Sequence, residues 1–368
     1  MKFSATFFLI FILTAVSVRA HDFFQTDYDL FDFQNAFSLL PKDDLLVEGE
    51  KHFKNIRQLT FGGENAEAYF SFDGKQLIFQ SKRDNRGCDQ IYTMNADGSN
   101  TRMISNGEGR TTCSFFLKGD KRILYASTFQ GGKDCPPNPD FSKGYVWAIY
   151  PEYDIYTAKP NGTDIKKLTD SKGYDAEATV SPNGKKVVFT SERDGDLELY
   201  SMDANGKNVK RLTFEVGYDG GAFFSPDNKM MVYRGSHPTD AALIQRDKEL
   251  LAQHLIVPTV FEVWTMNADG SNKRQITKLG TASFAPFFTP DGKRIIFCTN
   301  YFAADPRKRN FDLAMINVDG TGLQRITFNE SFDGFPMFSP DGKKFVFASN
   351  RNAKNQGDTN VFIADWVE

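Results

Sequence analysis

The residues able to do chemistry are few, and the most regular are acidic. Asn65, Thr111, Asp175, Asp219, Ser283 and Asp333 share one offset before a short apolar strand. Two residues on stand Glu67, Cys113, Glu177, Gly221, Ala285 and Phe335. Carboxylates gathered at one mouth can hold a divalent cation or a cationic peptide terminus. Two of them about 5–10 Å apart, one with a raised pKa, could instead run acid–base chemistry. Arg110 and Arg234 fall in the same segments, placed to neutralise the acids or hold an anion. The four histidines are His21, His52, His237 and His254, too scattered for a metal-binding imidazole cluster. The cysteines Cys88, Cys113, Cys135 and Cys298 form no C-x-x-C. Cys113–Cys135 is the first expected disulfide and Cys88–Cys113 the second, with Cys298 an inert thiol on a buried strand. No G-x-S-x-G, H-E-x-x-H or G-x-x-x-x-G-K occurs.

These residues sit in a chain of ordinary globular composition. It has 368 residues, 40% hydrophobic and 25% charged, with formal net charge −3. Lys and Arg (44) nearly cancel Asp and Glu (47), so nucleic acid, which demands a basic face, is not an expected partner. Phe is abundant at 36 residues. Phe with many Asp-Gly pairs reads as short strands joined by tight turns.

The first twenty residues read as a cleaved secretory signal. Lys2 precedes an apolar run from Phe7 to Val16, and Val18-Arg19-Ala20 offers a cleavage site. No later run has membrane length, so the expectation is a secreted or periplasmic protein that does not span a membrane. Such a compartment permits disulfides.

A repeat organises the rest. A turn followed by Lys recurs at Gly74, Asp120, Gly184, Asn228, Gly292 and Gly342, a base period of about 44 residues with two insertions of about 20. A buried run follows each turn, as in Val187-Val188-Phe189, and then a strand such as Leu199-Tyr200-Ser201-Met202. A second turn, often Asp-Gly or Asn-Gly, leads to a last strand ending Leu212-Thr213 or Ile276-Thr277. Each unit is a four-stranded antiparallel meander, and six units make an all-β, six-bladed β-propeller. The sixth unit lacks its outer strand, while an orphan, Ile56-Arg57-Gln58-Leu59-Thr60, precedes the first. The N-terminal strand therefore closes the last blade and removes two raw edges. The expected organisation is a signal at 1–20, an arm at 21–54 and the propeller at 55–368.

At these residues the chain resembles the TolB-type propeller family. The carriers are Arg211-Leu212-Thr213, Tyr218-Asp219, Ser225-Pro226-Asp227 and Tyr92-Thr93-Met94-Asn95-Ala96-Asp97-Gly98. The resemblance covers about residues 55–366. It looks closest to exported bacterial TolB-like propellers carrying segments like Gly109 to Cys113, Cys135 to Pro137 and Gly144 to Tyr150. It implies a fold rather than a ligand, since one propeller scaffold serves many functions.

Strand connections alternate between two faces of a propeller. The Asp-Gly turns share one face, and the long insertions near 129–152 and 235–260 share the other. Binding is expected on the insertion face. The residues expected to bind ligand at the channel mouth are Glu67, Arg110, Asp175, Glu177, Asp219, His237 and Asp333. Tyr145, Trp147 and Tyr150 form an expected recognition lip, or plainly a stiff cover. Residues 239–255 read as a helix capped by Thr239 or Asp240, either folded onto the ring or serving as a lid. The expected function is a non-enzymatic propeller, a monomer without cofactor, that binds an envelope or extracellular protein, peptide or glycan. The alternatives are a hydrolase or lyase using the channel carboxylates, with or without a divalent cation, and a structural adaptor plugged by its own insertions.

Overall fold

The computed structural model describes residues 45–304 and 310–368. The expected signal at 1–20, and the arm up to 44, lie outside the described residues. Six four-stranded antiparallel sheets make six blades, the first five running in sequence order from channel to rim. The innermost strands are Glu64–Phe70, Thr111–Phe116, Asp175–Val180, Tyr218–Phe224, Ser283–Phe288 and Asp333–Phe338. The sixth blade takes its outer strand from the N-terminus. Phe53–Gln58 pairs with Asn360–Trp366, with Phe53 opposite Trp366.

The repeat motifs have local causes. After the innermost strand, the Ser181 hydroxyl bonds the Asn183 side chain and accepts from Lys186 N, which folds the turn over itself. Ser225 with Asp227 and Ser339 with Asp341 repeat this. The Asp of these turns thus serves the turn. The turn also needs a left-handed residue. Gly184 supplies it at φ 73°, and Asn228 at φ 64° where the motif reads Asp-Asn-Lys.

The closing Leu-Thr or Ile-Ser of each unit is equally specific. Its hydroxyl accepts the N–H at the second residue of the third strand, as in Ile91 N to Ser105, Leu199 N to Thr213 and Val361 N to Thr60. A third contact joins blades. The N–H of Asn65, Thr111, Asp175, Asp219, Ser283 and Asp333 each donates to a carbonyl of the preceding blade, at 2.8–3.0 Å.

The abundant Phe fills the layers between blades. At the closing seam Phe53 stacks on Phe345 and Phe347, while Trp366 meets Phe338 and Phe345. Each such fully buried ring contributes about 2–3 kcal/mol. Ahead of that strand, buried Glu50 accepts from the buried Arg351 guanidinium, which also reaches Asp333. The last residues before the ring therefore dock on blade six.

The insertion face differs from the turn face as expected. The helix Ala241–Leu251 is capped by Asp240, whose carboxylate accepts from Ala242 N and Leu243 N. The two long insertions meet in a small sheet, where Trp147–Ala148 pairs with Leu255–Ile256. Among the described residues no helix is long and apolar enough to cross a membrane.

Candidate functional site

Every innermost strand carries a bulge in which two residues oppose one. The first bulged residue is left-handed each time: Glu67, Cys113, Glu177, Gly221, Ala285 and Phe335, at φ 49–58°. This second slot lines the channel. The first slot does not, which corrects the expectation for Asp175, Asp219 and Asp333. The bulge breaks the two-residue alternation between the slots, so the first slot turns into the blade. There Asp175 takes Arg193 Nη2 at 2.9 and 3.0 Å, and Asp333 takes Arg351 Nη2 at 3.1 and 3.2 Å. Asp219 takes His237 Nε2 at 2.8 Å. Arg110 is also outside the channel, tied to Asp89 at 3.7 Å and Asn138 at 3.1 Å.

In the channel Glu177 is the hub. It accepts from Thr190 Oγ1 at 2.7 Å, Tyr218 Oη at 2.8 Å and Gly221 N at 3.0 Å, and pairs with Arg234. Arg234 is buried, with Tyr218, Trp147 and Phe261 rings 5.2–5.9 Å from its guanidinium. Gly221 makes room for it, since a Cβ there would stand 2.1 Å from Arg234 Nη1. Across the channel, burial pushes the Glu67 carboxyl up to about 7, against the opposing hydrogen bond from Cys113. Burial, with Glu67 and Glu177 nearby, pushes the Cys113 thiol well above its usual range, so it is a poor nucleophile. The space among these groups is about 30 Å³, room for about one water. Below it, Tyr69, Phe115, Phe223 and Phe287 close the channel with ring centroids 5.1–5.5 Å apart from neighbour to neighbour.

The disulfide is Cys88–Cys135. Both expected pairings fail because Cys113 points into the channel, where it is free. Cys298 is free and buried, as expected. Of the expected lip, Trp147 turns inward onto Phe261 and Phe284, and Tyr150 donates to Pro137 O at 2.7 Å. Tyr145 is exposed and accepts from Trp147 Nε1.

The larger space was missed by the sequence reading. The helix Ala241–Leu251 buries none of its residues fully and touches the ring through Leu251, which packs against the cluster of Leu197, Tyr218 and Phe261. A cleft of about 420 Å³ lies between it and blades three and four. Leu197, Val216, Ile244, Leu251 and Phe261 give it apolar walls, with Val216 47% exposed. Glu192, Asp196 and Asp247 make its edge acidic, beside Lys248. The helix was legible in the sequence; the gap beneath it depends on Leu255–Ile256 being held by the other insertion.

Comparisons with known proteins agree on architecture. The model of the TolB β-propeller domain family matches residues 148–261. A TolB homolog of Chlorobium luteolum is 29% identical over 129 residues, covering 34% of this chain. The chain spans only 28% of that relative's length. Among solved structures, a protein assigned as TolB from Agrobacterium tumefaciens superposes with TM-score 0.55 at 17% identity, over 83% of this chain and 91% of that one. An oligogalacturonate lyase from Vibrio parahaemolyticus superposes with TM-score 0.50 at 14% identity, over 87% and 95%. At those identities the superpositions speak for the fold alone. By its blade order and its closing strand the chain is a six-bladed β-propeller, and its repeats are similar to those of TolB proteins.

Proposed function

We propose that this protein is a non-enzymatic binding propeller that receives a protein or peptide segment in the cleft under the insertion helix. One observation carries the reading: the 420 Å³ cleft joins apolar walls to an acidic edge on the face that bears both long insertions. Such a cleft suits an apolar side chain flanked by a basic group or a chain amine. The Cys88–Cys135 disulfide fits an oxidising compartment, which supports an exported protein acting in the envelope or outside the cell. A hydrolase or lyase reading has the raised Glu67 beside Glu177 in its favour. Against it, about 30 Å³ leaves no room for a sugar or peptide bond among those groups, and Arg234 already occupies Glu177.

The test is capture from envelope extract by residues 21–368, with two variants checked for folding. Leu251→Asp puts a negative charge on the cleft's apolar wall, and Glu67→Gln alters the channel. Capture by wild type and Glu67→Gln but not by Leu251→Asp is the expected result. Capture lost with Glu67→Gln and kept with Leu251→Asp overturns the cleft. A glycan retained in place of a protein overturns the ligand class.

A further inference from the structure

Three blades carry an Asp in the first slot, and one of the three departs from the pairing of the other two. In blades three and six the first-slot Asp meets an Arg eighteen residues on, Asp175 with Arg193 and Asp333 with Arg351. In both pairs one guanidinium nitrogen lies within 3.2 Å of both carboxylate oxygens. In blade four the equivalent residue is His237. It reaches Asp219 Oδ1 alone, at 2.8 Å. Asp219 Oδ2 is buried without a hydrogen-bond partner. So is Glu198 Oε2, from the adjoining edge of blade three. Both residues are 1% exposed. Glu215, on the connection between these blades, completes a group whose carboxylate oxygens lie within 4.8 Å of one another.

The positive charges nearby do not complete this group. Arg211 Nη2 holds Glu198 at Oε1, 2.8 Å away, and Lys273 stands 3.7 Å from Glu215. The Thr213 hydroxyl lies beside both Glu198 and Asp219 but has one proton to give. Two buried carboxylates, each with an oxygen that has no partner, thus stand close together in the one Asp-bearing blade that lacks the arginine, and a buried carboxylate oxygen left unpaired is costly.

We propose that the seam of blades three and four binds a hard divalent cation of the calcium type through Glu198, Asp219 and Glu215. All three donors are carboxylates, and Glu198 and Asp219 are buried. Such a set suits calcium, magnesium or manganese over the softer metals that thiolate and imidazole select. His237 acts as a positioning residue, holding Asp219 so that Oδ2 faces Glu198. Exposed Glu215 gives the ion its way in from solvent. The ion does for Asp219 what Arg193 and Arg351 do for Asp175 and Asp333, and through Glu198 it also ties blade three to blade four. This site is separate from the cleft and from the channel.

Chelator-treated full chain is titrated with calcium, magnesium and manganese by calorimetry and thermal melting. Terbium luminescence is read in parallel, excited through Trp264, whose ring centroid is 4.7 Å from that of His237. Expected are one saturable site, a melting point raised by several degrees, and sensitised terbium emission that calcium displaces. Glu198→Gln abolishes all three. His237→Arg, which gives blade four the pairing of blades three and six, folds, melts no lower than the chelated wild type and loses the cation response. Absence of saturable binding up to about 10 mM of every ion overturns the proposal, leaving a shared proton between Glu198 and Asp219. So does binding that survives both substitutions.

Discussion

At the scale of single residues, the channel is an arrangement of acids whose charge is partly suppressed. Glu177 is satisfied by Arg234, Tyr218, Thr190 and the Gly221 amide. Glu67 has no such partner set, and burial raises its carboxyl from 4.5 to about 7. Between those two values the folded chain holds a proton that the unfolded chain has released. Stability from this group is therefore present below about pH 4.5 and is lost as pH rises through about 7. Glu67→Gln should gain on the order of 2 kcal/mol over wild type at pH 8, with the gap closing by pH 5. Urea unfolding at the two pH values reads this directly. A Gln variant less stable than wild type at pH 8 would mean that Glu67 is held by interactions stronger than its burial cost.

At the scale of elements, the insertions matter more than the strands. Cys88 lies between the second and third strands of blade one, and Cys135 lies in the insertion of blade two. Their bond closes a loop with a sequence separation of 47. Chain-entropy arguments put the most it can contribute at about 4 kcal/mol. Replacing both by Ser should speed amide exchange across residues 131–146 while leaving exchange at Trp147–Ala148 unchanged, because Leu255–Ile256 still holds that strand. Exchange that rises evenly over the ring would show the bond to be a global clamp. The elements themselves were legible from the sequence. Turn chemistry, buried triplets and closing Leu-Thr pairs are local signals; the turns and the closing pairs each survive in the structure with a named hydrogen bond, and the triplets are buried. The inward face of the first strand was not legible. It turns on a left-handed residue at the bulge, and Glu67, Cys113, Glu177, Ala285 and Phe335 give no sign of that; only Gly221 hints at it. The disulfide partner was hidden for the same reason, since Cys113 looks available until the bulge turns it into the channel.

At the scale of the whole molecule, the ring is a closed structure whose last joint is made by its first strand. Phe53–Gln58 covers the edge of Asn360–Trp366 and buries Phe53 against Phe345 and Phe347. A chain beginning at Phe61 should therefore self-associate through that exposed edge. A synthetic peptide of residues 45–60 should restore the monomer, because it carries both the strand and Glu50, the partner of Arg351. Light scattering after size exclusion follows both steps. A monomeric, fully folded chain without the peptide would show that five and three-quarter blades suffice. The same joint also sets the order of assembly. A strand made near the start must wait for a partner some three hundred residues later, so contacts within each blade form long before the ring can shut. A chain cut short during synthesis or degradation can build blades yet never lock them. The closing strand thereby separates finished copies from fragments, which are left open to proteolysis.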